Sequence, residues 1–166
     1  IYSFFRDKEE MVLKCCDRDL HARDCMLRGI TEQSTDAIGE LMEMMKFTAE
    51  MFSKMSPNLF YDMQKYHPEA WRLFRDFKLK HILRTVEDNL RKGISQGLYR
   101  KDINIPVIAR LRIEEVEMGM NPDIFPHQNF RLTDVQLALF DHFMHGITTL
   151  KGHKLINKYK QITEEE

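Results

Sequence analysis

Hydrophobic and polar positions along this chain recur at three- and four-residue intervals almost throughout, the spacing that sorts side chains onto opposite faces of an α-helix. The clearest case is residues 34–55, STDAIGELMEMMKFTAEMFSKM. Asp36, Glu40, Glu43, Lys46, Glu50 and Lys54 predict one narrow solvated stripe. Ile38, Leu41, Met42, Met44, Met45, Phe47, Met51, Phe52 and Met55 fill most of the remaining circumference. A helix so largely apolar belongs among other helices. Five of the chain's 11 methionines lie here, and methionine is the side chain that best fills irregular or changing gaps. The segment reads either as a plain core helix or as the wall of an adaptable ligand cavity.

The pattern predicts further helices on both sides. Asp7 as N-cap with Glu10 three residues inside makes a capping box for a helix over 8–28, stopped by Gly29. Its modest stripe of Met11, Val12, Cys15, Cys16, Leu20 and Leu27 predicts a surface helix. Ser56-Pro57 predicts an N-cap and a proline at N1 for a short helix to residue 66. His67-Pro68 breaks it, because the residue before a proline avoids the helical region. A long helix over 69–95 follows, ended by Gly97, with Trp71, Phe74, Ile82, Val86 and Leu90 on its buried stripe. Its basic residues are interleaved with Asp76, Glu87 and Asp88, which favours a solvated face over a nucleic-acid surface. His81, Thr85 and Asn89 run at i, i+4 beside the stripe, placed either to point into a cavity or to face water. Asn104 and Pro106 open a helix over 105–118, and Thr133 with Gln136 forms a second capping box for a helix over 133–150. Both late helices carry more apolar surface than one core face uses, which predicts an oligomer.

Composition narrows the function. A soluble all-α protein fits 43% apolar and 31% charged residues. With 25 basic and 26 acidic residues, the net charge of -1 offers no cationic field, so this stretch is not itself the main grip on nucleic acid. No apolar run approaches the roughly 18 residues of a membrane span. Cys15, Cys16 and Cys25 form no metal pattern and leave an odd thiol, which points to a reducing cytoplasm. Glu-x-x-His pairs, Gly-rich phosphate loops, Gly-x-Ser-x-Gly elbows and Cys-His clusters are all absent from the sequence, so neither an enzyme nor a cofactor is expected. Asp141, His142 and His145 have spacings open to a metal, but two histidines on an apolar helix more often pack or hydrogen-bond, and no metal site is assigned.

The first residues carry a more specific signal. Tyr2, Phe5 and Lys8, in the frame Tyr-Ser-Phe-Phe-Arg-Asp-Lys-Glu-Glu-Met, resemble the junction in TetR-family transcriptional regulators where the helix-turn-helix DNA reader passes into the regulatory domain. Phe4 stands where Tyr or His is usual and Met11 where Leu is usual. The number, lengths and breaks of the later helices are similar to the family's regulatory domain over nearly the whole chain.

The resemblance implies a remnant of the DNA reader over 1–7 and a ligand-binding and dimerisation domain over 8–166. It implies a homodimer, built as a four-helix bundle of the last two long helices, with Leu111, Val116, Leu137, Phe140, Phe143, Met144 and Ile147 at the interface. It implies operator DNA bound through a segment upstream of Ile1, with Tyr2 and Lys8 reaching phosphates near a helix N-terminus. A hydrophobic small-molecule effector is implied between the central helix and the 69–95 helix. Phe47, Met51, Phe60, Tyr61, Trp71, Phe74, His81 and Thr85 are the residues assigned to it. The alternative is a helical lipid or ligand carrier, or a scaffold, that binds no DNA.

Overall fold

The structure, a computed structural model, describes residues 5–161 and is all-helical. The elements are α1 (Lys8–Gln33), α2 (Ala37–Ser53), α3 (Leu59–Tyr66), α4 (Pro68–Phe77), a π-helical turn (Lys78–Ile82), α5 (Leu83–Ser95), α6 (Ile105–Gly119), α7 (Leu132–Ile147) and α8 (Leu150–Lys160). Among the described residues no helix is long and apolar enough to cross a membrane.

Four helices make a closed circuit: α2 packs on α5, α5 on α6, α6 on α7, and α7 back on α2. The remaining elements lie around this ring, α1 against α4 and α2, α3 against α4, and α8 against α2. The core fills the end of the ring nearest the start of α2, where Ala37, Ile38, Leu41, Leu90, Phe143, Met144, Ile147 and Ile156 meet. Tyr99 enters it from the loop after α5. Its ring lies so close to Gly93 that a Cβ there would sit 2.0 Å from Tyr99 Cδ2. Gly97 makes the turn at φ +73, a conformation that glycine adopts without cost. Tyr99 then forms a single antiparallel bridge with Thr148, with hydrogen bonds from Arg100 N to Ile147 O (2.9 Å) and from Thr149 N to Leu98 O (3.0 Å).

A buried polar network fastens α2 to α5. Glu40 is 2% exposed and accepts from Lys92 Nζ (2.9 Å) and Asn89 Nδ2 (3.2 Å). Asn89 Nδ2 also donates to the Ala37 carbonyl (3.0 Å), and the Tyr99 hydroxyl donates to Asn89 Oδ1 (2.7 Å). Gln96 Oε1 accepts from Ala37 N (2.9 Å), which satisfies a first-turn donor of α2. Burial is the main cause that pushes the Tyr99 hydroxyl above its ordinary pKa, and Glu40 adds to it. Glu40 therefore leaves the solvated stripe expected of it, and Asn89 points into this network rather than into a ligand space.

Several boundaries differ from the expected ones. Helix α1 runs through Gly29 to Gln33, because an interior glycine costs only about 1 kcal/mol. Its end comes where the Ser34 hydroxyl (2.8 Å) and N–H (3.1 Å) both bond to the Ile30 carbonyl. Helix α3 begins two residues late, with Asn58 at the cap and Pro57 outside, where Leu59 N instead donates to Ser56 O (3.1 Å). The Thr133 capping box does not form. Arg131 takes the cap position of α7, and buried Gln136 donates across to the Val116 carbonyl (2.8 Å). Helix α7 ends at Ile147 because Thr148 is drawn into the bridge, and Thr149 caps α8 by accepting from Gly152 N (3.1 Å).

Most of the surplus apolar surface of α7 is consumed within the chain. Wedged between α2 and α6, it buries Phe140 and Phe143 to 5% exposure, Ile147 to 3% and Met144 to 0%. These four side chains face inward and do not form the exposed dimer surface expected of them. Of that set, Leu111 and Leu137 remain exposed, at 48% and 43%.

Candidate functional site

The other end of the ring is not filled. Helices α1 to α7 all contribute to the wall of a cavity of about 200 Å³, larger than the roughly 150 Å³ that accommodates benzene in an apolar protein interior. Each helix presents one face by ordinary helical spacing. From α1 come Cys16, Leu20, Arg23 and Leu27, at i, i+4, i+7 and i+11. From α2 come seven residues, including Met44, Met45, Phe47 and Met51. Six of the 11 methionines of the chain line the space: Met44, Met45, Met51, Met55, Met63 and Met120. Such a wall adapts its shape at little cost, because each methionine has several low-energy rotamers.

Five of the eight residues assigned to an effector lie on this wall: Phe47, Met51, Phe60, Phe74 and Thr85. Trp71 stands behind it and supports it, edge-on to Phe60 (6.3 Å between ring centres) and tilted on Phe74 (5.5 Å). Tyr61 is 56% exposed and turns to water. His81 is outside as well, stacked on Phe77 with its Nδ1 3.3 Å from Asp24 of α1. The π-turn accounts for that displacement. Leu83 N bonds back to the Lys78 carbonyl, five residues earlier, so the turn holds one extra residue and rotates the start of α5 about the helix axis. Counting seven from Phe74 on an uninterrupted α-helix reaches His81. With the extra residue Ile82 takes that place on the wall. Lys78, in the same turn, is buried and bonds to Glu117 of α6 (2.8 Å), with Glu114 at 3.6 Å.

Helix α6 supplies what sequence patterning did not single out. Arg112, Ile113 and Val116 reach the wall, joined by Phe140 of α7. Val116 and Phe140, both assigned to a subunit contact, thus line the cavity. Arg112 is 8% exposed, with its guanidinium carbon 5.3 Å from the Phe140 ring centre and 5.5 Å from that of Phe143. Glu115 Oε2 approaches Arg112 Nη1 to 3.7 Å, and both atoms are buried without a hydrogen-bond partner among the described residues. Burial lowers the Arg112 pKa from its ordinary value and raises that of Glu115, and in each case the neighbouring opposite charge offsets part of the effect. The legible signal was one cation within an apolar i, i+4 run, Ile108, Arg112 and Val116. A second charged pair, Asp19 and Arg23, has both members on the wall and is joined at 2.6 Å.

Of the residues assigned to DNA phosphates, Tyr2 lies outside the described residues. Lys8 is exposed at the first position of α1. The Asp7 carboxylate already accepts from Glu10 N (2.8 Å), and the Glu10 carboxylate accepts from Arg6 N. Helix α1 is tied to the helices beneath it by His67 Nδ1 to Glu9 Oε2 (2.8 Å) and by the His81 to Asp24 contact.

Comparison with protein-family models, with curated proteins and with solved structures finds no match to this chain.

Proposed function

We propose that this chain is the effector-binding and dimerisation part of a TetR-like transcriptional regulator, acting as a repressor. The observation that carries the reading is the methionine-rich apolar cavity with α1 as one of its walls. In the resembled family the helix corresponding to α1 continues from the DNA reader, so a guest that repacks α2 and α5 also moves α1. Two copies form a homodimer that holds two readers at a half-site separation of roughly 34 to 36 Å. A hydrophobic small molecule enters the cavity, α1 tilts, and the readers lose their spacing on the operator. Full release requires the effector to prefer the tilted form by on the order of 5 kcal/mol. The role is binding, with no turnover.

The dimer surface in this reading uses the exposed apolar residues Leu111 and Leu137, because the remaining side chains first assigned to it are buried or line the cavity. A native mass spectrum of the purified chain tests both halves. The reading expects a dimer near twice 19.9 kDa and a retained or added small molecule. A monomer that holds a ligand would favour a carrier instead, and a monomer that accepts none would reject the reading.

A further inference from the structure

We propose that the cavity selects a small monocarboxylic acid with an aromatic or short aliphatic body, and that Arg112 receives its carboxylate. The inference rests on the reading of this cavity as the effector site, and it names the chemistry that the site recognises.

Three observations converge on Arg112. It is 8% exposed and lines the cavity, and its Nη1 has no hydrogen-bond partner among the described residues. Nη1 is enclosed and faces Glu115, so this long ion pair leaves the guanidinium under-satisfied, and an acceptor arriving in the cavity meets the part of Arg112 that lines the wall. The nearest carboxylate, that of Glu115, is 3.7 Å away, beyond hydrogen-bond reach, and is not part of the wall. Finally, Phe140 and Phe143 face the guanidinium and hold the planar fork in place, so little ordering is left for a ligand to impose. Arg23, the other cation on the wall, is already matched by Asp19 at 2.6 Å.

The wall decides the rest of the molecule. Beyond these charges it is methionine, phenylalanine and aliphatic carbon with the Cys16 thiol and two threonines, Thr48 and Thr85, which suits a hydrocarbon body. A volume of about 200 Å³ suits one ring or a short chain. One cation facing an apolar space matches a monoanion better than a phosphate dianion, whose second charge would be buried without a counter-ion.

Calorimetric titration of the 166-residue chain with benzoate and with benzamide, its neutral isostere, tests this. Benzoate is expected to bind about tenfold tighter, the factor appropriate to a charge-assisted hydrogen bond. Arg112→Met alone strands Glu115, so the double variant Arg112→Met/Glu115→Gln is measured beside it. That variant should keep benzamide binding and lose the preference for the acid. Glu115→Gln, which retains the cation and removes the nearby negative charge, should bind benzoate more tightly still. Equal affinity for acid and amide in the unmodified chain would overturn the anion site while leaving the cavity as a binding site. An acid preference that survives in the double variant would overturn the role of Arg112. Saturable binding of neither compound would overturn this proposal together with the effector-site reading beneath it.

Discussion

Exchanging Lys92 for methionine removes the counter-charge of a carboxylate that has no route to water. Glu40 is 2% exposed and depends on Lys92 Nζ at 2.9 Å and Asn89 Nδ2 at 3.2 Å. The Lys92 side chain is 29% exposed and can turn its ammonium outward when its partner is gone. The two halves of the pair are therefore unequal. Deleting one partner of a buried pair costs about 3–5 kcal/mol, and Lys92→Met bears that cost because Glu40 stays enclosed. Glu40→Gln keeps an acceptor for Asn89 and releases Lys92 to solvent, which costs about 1–2 kcal/mol. At roughly 2–4 °C per kcal/mol for a chain of this size, Lys92→Met lowers Tm by roughly 6–20 °C and Glu40→Gln by roughly 2–8 °C. The double variant should fall near Glu40→Gln alone, because the stranded charge is then absent. Thermal and urea unfolding followed by circular dichroism measures all three variants. Equal costs for the two single changes, or a double variant equal to their sum, would refute the reasoning.

Other consequences are open to test. Gly93→Ala should destabilise by about 1–3 kcal/mol, because the new methyl meets the Tyr99 ring at 2.0 Å. Gly146→Ala, with nothing within 4 Å in helix α7, should stabilise by up to about 1 kcal/mol, and urea unfolding separates the two. The hydrogen bond to Asp36 is the main cause that pushes the Tyr159 hydroxyl up to about 12. A raised folded-state pKa means that the contact stabilises fully below about pH 10, the unfolded value, and is lost as pH rises through about 12. Spectrophotometric titration should find a tyrosine ionising in this range, apart from the buried Tyr99, whose hydroxyl is also raised, and Tyr159→Phe should remove it. Phe143→Asp should unfold the chain, whereas Leu137→Asp should leave the helical circular dichroism intact and shift only the sedimentation coefficient. An unfolded Leu137→Asp or a folded Phe143→Asp would reverse that division of α7.

Local signals in the sequence were legible where the chemistry is local. Asp7, Pro68 and Asn104 begin helices because a cap or a fixed φ acts within one turn, and the late helices fall close to their expected positions. Partners distant in the chain were not legible. Glu40 keeps the spacing of a surface charge and is buried only because Lys92, 52 positions on, meets it. Phe143 and Ile147 sit on a helix that is apolar on two sides, which fits a dimer and a wedge between α2 and α6 equally well until the packing is known. Ile82, expected on the buried stripe, lines the cavity, whereas His81 is turned away at the π-turn, a wide turn whose hydrogen-bond pattern no residue type announces. For the same reason the aromatic residues of the cavity were read more easily than Arg112, whose importance lies in a missing partner.

The central claim is that the space between α1, α2, α5 and α6 admits a small apolar guest. Labelling methionine with ¹³C-methyl groups and titrating with indole tests it directly, because six methionines line the space and Met26, 54% exposed on α1, does not. The account predicts saturable shifts at Met44, Met45, Met51, Met55, Met63 and Met120, with the Met26 signal unmoved. Shifts that do not saturate, or that appear equally at Met26, would contradict it.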